Sequence, residues 1–99
     1  MATFIMLTRL SHEALRSPTD LVGLSHEVME RIRKDCPGVE WKQSYVVLGP
    51  ADYVDIFTAP DMDSALKVAT VVRTFGHATT EIWGATEWER FTELVTRSA

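Results

Sequence analysis

The sequence contains a single cysteine, Cys36, so no disulfide can form within one chain, which fits a reducing cytoplasm. No stretch approaches the roughly 18 apolar residues of a membrane-spanning helix. Basic residues are few, since 10 Lys and Arg stand against 14 Asp and Glu. Nucleic-acid binding needs clustered Lys and Arg. We therefore expect a cytoplasmic protein with no membrane partner and no nucleic-acid partner.

Motifs of several common chemistries are also lacking. The chain has no Gly-rich phosphate loop, nucleophile elbow, Cys-pair zinc motif or haem-attachment motif. His77 and Glu81 cannot hold one ion from a straight strand, because four strand residues span about 13 Å. This pair alone is therefore not a metal site, and the alternative is that either residue joins ligands from other strands or from a partner chain. We predict no metal site and no cofactor. No linker, repeat or low-complexity segment interrupts the 99 residues, so we predict one domain over residues 1–99.

Two periodicities recur along the chain. Alternating or continuous apolar stretches predict strands at 3–10, 39–48, 53–59 and 77–83. Apolar residues at three- and four-residue spacing predict a helix that begins at 17–20 and is ended by 36–38, a second over 60–75 and a tail helix over 86–96. Ser17 and Asp61 are suitable N-caps, and Gly76 is a suitable helix end.

The resulting order, β-α-β-β-α-β with a tail helix, is that of an α+β, ferredoxin-like fold. Right-handed crossovers then give the sheet order 4-1-3-2, with helices on one face. We expect the other face to pack against a second copy as a dimeric α/β barrel, because uncovered apolar faces usually find a partner. We expect the tail helix to dock through Trp88 and Phe91. The side chains expected on the uncovered face are Trp41, Tyr45, Val47, Tyr53, Phe57 and Trp83.

Three stretches carry a resemblance to a known family: "TFIMLTRLS", "YVVLGPADYVDIFTAPD" and "VVRTFGHATTEIW". With these, nearly the whole chain resembles the GYD-domain family, which lies within the dimeric α/β-barrel superfamily. Gly49 and Asp52 match the Gly-Tyr-Asp turn, whereas Ala51 occupies the tyrosine place. The resemblance implies a dimeric barrel and no agreed activity. Its wider superfamily includes haem-using enzymes, cofactor-free monooxygenases of aromatic compounds and binding modules, and fold alone does not choose among them.

Alternation in 77–83 separates His77, Thr79, Glu81 and Trp83 from Ala78, Thr80 and Ile82. We expect the first group to face the barrel, because a His and a Glu under the helices would leave buried polar groups. His77, Glu81 and Asp55 are the candidate catalytic acid/base residues. For Glu81 the alternative is an interface pair with Lys42 or a Trp N–H of the partner, and Asp55 has the same two readings.

A second group of residues is a candidate ligand site. Arg9, Asp52 and His77 should approach one end of the sheet, where they could bind an anion or tune a proton-transfer group. The alternative is a structural Arg9–Asp52 ion pair with His77 capping the sheet. The pairs Tyr45–Tyr53 and Trp41–Trp83 could form the walls of a pocket for a small aromatic ligand, although aromatics also dominate interfaces.

These observations favour a homo-oligomeric protein, a dimer or higher, that binds a small molecule. One alternative is a cofactor-independent oxygenase or isomerase acting on an aromatic or polyketide-like compound in the barrel. Another is a structural assembly module. A drug-sized pocket with one convergent carboxylate would favour the enzyme, and a barrel interior filled by side chains would favour the module.

Overall fold

Strand and helix alternate along the part of the chain, residues 1–11 and 18–98, that the computed structural model describes. The order confirms the predicted ferredoxin-like fold with a C-terminal helix. Ser17, the expected first cap, lies outside the described residues. The elements are β1 (Ala2–Leu10), α1 (Pro18–Asp35), β2 (Glu40–Val46), β3 (Tyr53–Ala59), α2 (Met62–Phe75), β4 (Ala78–Ala85) and α3 (Trp88–Ser98).

The four strands form one sheet in the order β2-β3-β1-β4, and each neighbouring pair is antiparallel. This is the predicted order, which is therefore confirmed. The turn between β2 and β3 is closed by the Val47 N–H, which donates to the Asp52 carbonyl oxygen at 3.0 Å. The strand β1 is thus central, and β2 and β4 are the edges.

Local signals set the ends of α2. The Asp61 carboxylate accepts a hydrogen bond from the Ser64 N–H at 2.8 Å, which satisfies one of the unpaired donors of the first turn. At the other end the Gly76 N–H donates to the Val72 carbonyl oxygen at 2.8 Å. A Cβ at Gly76 would lie 2.6 Å from that same oxygen. Glycine therefore lets the helix close here without a steric clash.

The core lies between the sheet and the two helices α1 and α2. We call the sheet surface beneath these helices the helix-covered face and the opposite surface the open face. Phe4, Met6 and Thr8 of β1 are buried on the helix-covered face, while Ile5 and Leu7 are half-buried on the open face. The other core side chains are Val28, Ile32, Cys36, Phe57, Ala59, Ala65, Val68, Val71 and Val72.

The strand β4 has the predicted orientation. Thr79, Glu81 and Trp83 are opposite Arg9, Leu7 and Ile5 of β1, which places them on the open face. Thr80 is buried and Ile82 packs against the core on the helix-covered face. The sequence interpretation of this alternation is therefore confirmed for these strand residues. His77 precedes the strand with a φ of 51°.

Three aromatic residues expected on the open face lie on the other side. Phe57 is opposite Phe4, Tyr53 is opposite Thr8, and Trp41 is opposite Phe57. All three therefore belong to the helix-covered face, and the expectation for them was wrong. The cause in β2 is a register shift between Trp41 and Gln43, a bulge that inserts one extra residue and changes which side chains point to each face.

The helix α3 differs from expectation as well. Trp88 is 73% exposed and Phe91 is 47% exposed, although their rings lie 5.4 Å apart and contact each other. The predicted docking of α3 through these two residues is therefore wrong for the single chain. Among the helices of the described residues, none is both long enough and apolar enough to cross a membrane.

Candidate functional site

A cavity of about 310 Å³ lies between α1 and the helix-covered face of the sheet. This volume is at the lower end of the range of about 300–1,000 Å³ that is typical of small-molecule sites. Its floor includes Met6 and Thr8 of β1, which are buried, and its roof includes Leu24 and Val28 of α1. Ser44, on the edge strand β2, is exposed and also borders the cavity. The cavity therefore leads from the sheet edge into the core.

One carboxyl group borders this cavity. Asp55 of β3 is half-buried and lies opposite Met6 on one side and Ser44 on the other. Burial raises the pKa of the Asp55 carboxyl group, and hydrogen bonding with the Ser44 and Trp41 side chains opposes that rise only in part. The protonated form is thus favoured relative to an aspartate in water, because low polarity disfavours the charged form.

Ser44 and Trp41 form a short polar chain beside the carboxyl group. The Trp41 indole N–H donates to the Ser44 hydroxyl oxygen at 2.9 Å. The hydroxyl hydrogen of Ser44 remains available to donate to Asp55, since a hydroxyl group both accepts and donates. In a regular strand, residues 41 and 44 would point to opposite faces. The bulge at Trp41/Gln43 brings both onto the face of Asp55.

The indole ring of Trp41 is held by stacking. It lies parallel to the Phe57 ring, with centroids 5.1 Å apart and 6° between the planes. Phe57 in turn stacks on Phe4 at 5.6 Å. Because Phe57 has no exposed surface, this aromatic stack fixes the direction in which the Trp41 N–H points.

Thr8 adds an unpartnered hydroxyl group to the floor of the cavity. Its residue is 3% exposed, and Oγ1 has no hydrogen-bond partner within the described part of the chain. A buried hydroxyl group without a partner costs about 1–3 kcal/mol. Sequence reasoning missed Thr8 and Ser44, because nothing in a one-dimensional pattern marks a threonine as unpartnered or a serine as opposite a carboxylate.

The predicted ligand-binding aromatics divide between the two faces. Trp41 and Tyr53 border the cavity, whereas Trp83 is half-exposed on the open face, so Trp41 and Trp83 do not form one pocket. Tyr45 is opposite Val54, and Tyr53 is opposite Val46, so the two tyrosines leave the sheet on opposite faces. Tyr45 nevertheless borders the cavity at the β2 edge.

The catalytic candidates are similarly separated. Asp55 lies on the helix-covered face and Glu81 on the open face, so these two carboxylates do not form one site. Glu81 is exposed and borders a shallow groove with Arg9 and Thr79. His77 is exposed, and its carbonyl oxygen accepts a hydrogen bond from the Ser11 N–H at 3.0 Å.

Arg9 and Asp52 each bind backbone rather than each other. The Arg9 Nε donates to the Pro50 carbonyl oxygen at 2.7 Å. The Asp52 carboxylate accepts from the Leu10 N–H at 2.8 Å, and the Asp52 N–H donates to the Thr8 carbonyl oxygen at 2.8 Å. The structural role expected as an alternative is therefore present, but the expected ion pair is replaced by hydrogen bonds that tie the turn to β1. Within residues 1–11 and 18–98, no three His, Cys, Asp or Glu side chains are grouped so that they could hold a metal ion.

Comparison with known proteins gives a family and a fold. The model of the GYD domain matches residues 4–95. The crystal structure of TTHA0845 from Thermus thermophilus is similar with a TM-score of 0.62 and 21% identity, over 88% of this chain and 95% of that one. The crystal structure of the hypothetical protein PHS023 from Pyrococcus horikoshii is similar with a TM-score of 0.54 and 21% identity, over 88% of this chain and 92% of that one. The crystal structure of FFRP-DM1 is similar with a TM-score of 0.56 and 22% identity, over 87% of this chain and 100% of that one. At these identities the likeness is one of fold, and the comparison with curated proteins finds no match.

Proposed function

The chain belongs to the GYD domain family, and from this premise and the cavity under α1 we propose that it is a homo-oligomeric small-molecule-binding protein. The cavity itself is the single observation that carries the proposal. It combines a mainly apolar lining with one carboxyl group, Asp55, and one unpartnered hydroxyl group, Thr8. An apolar pocket with a few convergent polar groups is the usual form of a small-molecule site.

The open face supports the homo-oligomeric part of the proposal. Its half-buried aliphatic residues are flanked by Tyr45 and Trp83, which are 51% and 52% exposed. A second copy of this chain would cover these side chains by packing sheet against sheet, with the cavities on the outer, helix-covered sides. Ligand binding and assembly would then use opposite faces of one sheet. The aliphatic residues of the open face are Ile5, Leu7, Val54 and Ile56.

Native mass spectrometry of protein purified without added ligand tests this proposal. We expect a mass that is a multiple of the 11.2 kDa chain, together with a retained small molecule. Ser25 on α1 is exposed and borders the cavity, so Ser25→Trp should obstruct the cavity and remove the retained molecule. Glu27→Trp is the matched control, because Glu27 is exposed on the same helix and does not border the cavity. Equal retention by both variants would contradict the proposed site.

A second candidate function rests on the carboxyl group. A cavity with one convergent carboxylate whose pKa is raised by burial is also suited to general acid/base catalysis. In this alternative Asp55 transfers a proton to or from an aromatic or polyketide-like compound, as in a cofactor-independent oxygenase or isomerase. Asp55→Asn would then abolish turnover of an identified ligand while the variant still bound it. Unchanged turnover would exclude this role for Asp55.

A further inference from the structure

Most of the polar side-chain atoms that border the cavity are oxygens, which can accept hydrogen bonds, and Asp55 and Thr8 are the two on the cavity floor. The one nitrogen donor among the described lining side chains, the Trp41 indole N–H, already donates to the Ser44 hydroxyl oxygen. Among the described residues that border the cavity, none is Lys, Arg or His. A ligand carboxylate or phosphate would therefore meet no opposite charge and would lie near the Asp55 carboxyl group, which disfavours it.

Asp55 lies between the two hydroxyl groups, with Ser44 on one neighbouring strand and Thr8 on the other. Ser44 is directly opposite Asp55, a pairing that places Cβ atoms about 4.5–5.5 Å apart. Thr8 is two residues from Met6, the β1 partner of Asp55, and such diagonal neighbours on one face are about 7–8 Å apart. A ligand nitrogen that donates one hydrogen bond of about 2.9 Å to Asp55 and another to Thr8 can bridge this separation of about 7–8 Å.

We propose that the cavity binds a primary amine, with its ammonium group between Asp55 and Thr8 and an apolar body against α1. This proposal rests on the proposed function, since it names the ligand class of the same site. An ammonium group has three N–H donors and no acceptor, whereas an ionised carboxylate is only an acceptor. The ammonium group supplies the positive charge that the lining lacks, and it gives the Thr8 hydroxyl oxygen a donor.

The electrostatics of Asp55 agree with this geometry. Burial raises the pKa of its carboxyl group when no ligand is present. A neighbouring ammonium group acts in the opposite direction, because an opposite charge within about 4–6 Å favours the ionised form. The ligand charge therefore offsets the desolvation of the carboxylate, and neither a neutral nor an anionic ligand can do the same.

Isothermal titration calorimetry with three probes of similar size tests the ligand class: 2-phenylethylamine, 2-phenylethanol and 3-phenylpropionate. We expect the amine to bind at least about tenfold more tightly than the alcohol, because hydrogen bonds to charged groups are the stronger ones. The acid should bind most weakly. Asp55→Asn should remove the preference for the amine and leave the affinity for the alcohol within about threefold, because the apolar contacts remain.

Thr8→Val should weaken amine binding by about three- to tenfold, the effect of one lost hydrogen bond. Thr58→Val is the matched control. Thr58 Oγ1 is also buried and unpartnered within the described residues, but Thr58 is opposite Thr3 and lies on the open face. This control should leave amine affinity unchanged, and circular dichroism checks that each variant folds.

An alcohol or acid that binds as tightly as the amine would overturn the ligand class and leave the proposed function standing. Retention of the amine preference by Asp55→Asn would have the same consequence. If none of the probes binds, the ligand class is also overturned, and the retained-molecule experiment with Ser25→Trp decides separately whether the cavity is a site.

Discussion

Thr8 and Thr80 are opposite each other on neighbouring strands, and both are buried, yet only one hydroxyl group is paired. The Arg73 guanidinium donates to Thr80 Oγ1 at 3.0 Å and to the Thr80 carbonyl oxygen at 2.8 Å. Thr8 Oγ1 has no such partner in the described part of the chain. The same residue type is therefore stabilising at one position and costly at its neighbour, and a buried unpartnered group of this kind calls for an explanation.

The two threonines allow a matched test of stability. Thr8→Val replaces an unpartnered hydroxyl group by a methyl group of similar size, so the free energy of unfolding should rise by about 1 kcal/mol. Thr80→Val removes the acceptor of a charged donor and should lower it by about 1–2 kcal/mol. Urea denaturation followed by circular dichroism measures both. A loss of stability in Thr8→Val would mean that its hydroxyl group has a partner after all.

Asp55 predicts a dependence of stability on pH. Because burial raises the pKa of its carboxyl group, the folded chain retains this proton at pH values where the unfolded chain has released it. The contribution of Asp55 to the free energy of unfolding should therefore fall as pH rises from the ordinary aspartate pKa to the raised one, and stay level above it. Asp55→Asn has no proton to release, so its Tm should equal that of the wild type in acid and exceed it at neutral pH.

Asp61 provides a control of opposite sign. The Ser64 backbone and side-chain hydrogen bonds lower the pKa of this N-cap carboxyl group. Its stabilising contribution is present above the ordinary aspartate pKa and is lost as pH falls through the lowered value. Asp61→Asn should therefore be less stable than the wild type at neutral pH and equal to it in acid. If both variants shifted in the same direction with pH, the assignment to these two carboxylates would be wrong.

The helix bounds and the strand order could be predicted from the sequence, because they depend on residues that are close together along the chain and on chain connectivity. The bounds of α2 follow from Asp61 and Gly76, whose capping bonds involve residues three and four positions away. The strand order follows from chain connectivity. The face of each aromatic in β2 does not, because the bulge at Trp41/Gln43 depends on the pairing with β3. One extra residue exchanges the two faces to which the side chains on either side of it point. The sequence pattern alone therefore does not show that Trp41, Ser44 and Asp55 share a face.

The tail helix α3 has an apolar face that the single chain leaves exposed. Trp88 and Phe91 contact each other, and Leu94 and Val95 are exposed as well. In an amphipathic helix, most stability comes from packing that apolar face. Covering this apolar face would therefore stabilise α3, and the proposed homo-oligomer could provide the cover.

The double variant Trp88→Ser, Phe91→Ser tests where α3 packs. If a second copy covers these residues, the Tm of the wild type should rise over about a hundredfold increase in protein concentration, and the variant should lose part of that rise. At the lowest concentration the two should differ by less than about 1 kcal/mol, as is usual for exposed sites. Phe57→Ala is the contrasting control, since a fully buried aromatic costs about 3–5 kcal/mol at every concentration. A large, concentration-independent loss in the double variant would instead indicate docking within the chain.

The chain is elongated rather than compact. It measures 53 × 30 × 17 Å, with a radius of gyration of 15.1 Å, whereas a compact domain of this length has a radius of about 13 Å. The excess agrees with a sheet covered on one face only and with a helix whose apolar side chains remain exposed. Both features leave apolar surface exposed, which supports the proposal that a second copy packs against it.

Trp83→Glu tests this assembly through the open face. The wild type should sediment at a multiple of 11.2 kDa at micromolar concentration. Trp83 is on the same face as Glu81, two residues away on β4. The substitution would therefore add a second carboxylate to a surface that the proposed partner would desolvate. An unpaired charge at such an interface costs about 3–5 kcal/mol, which weakens association by about two to four orders of magnitude. Leu66→Glu makes the same kind of change on the exposed side of α2 and should leave the mass unchanged. A wild-type chain that sediments as a monomer, or a Trp83→Glu variant that stays associated, would show that the open face is not the interface.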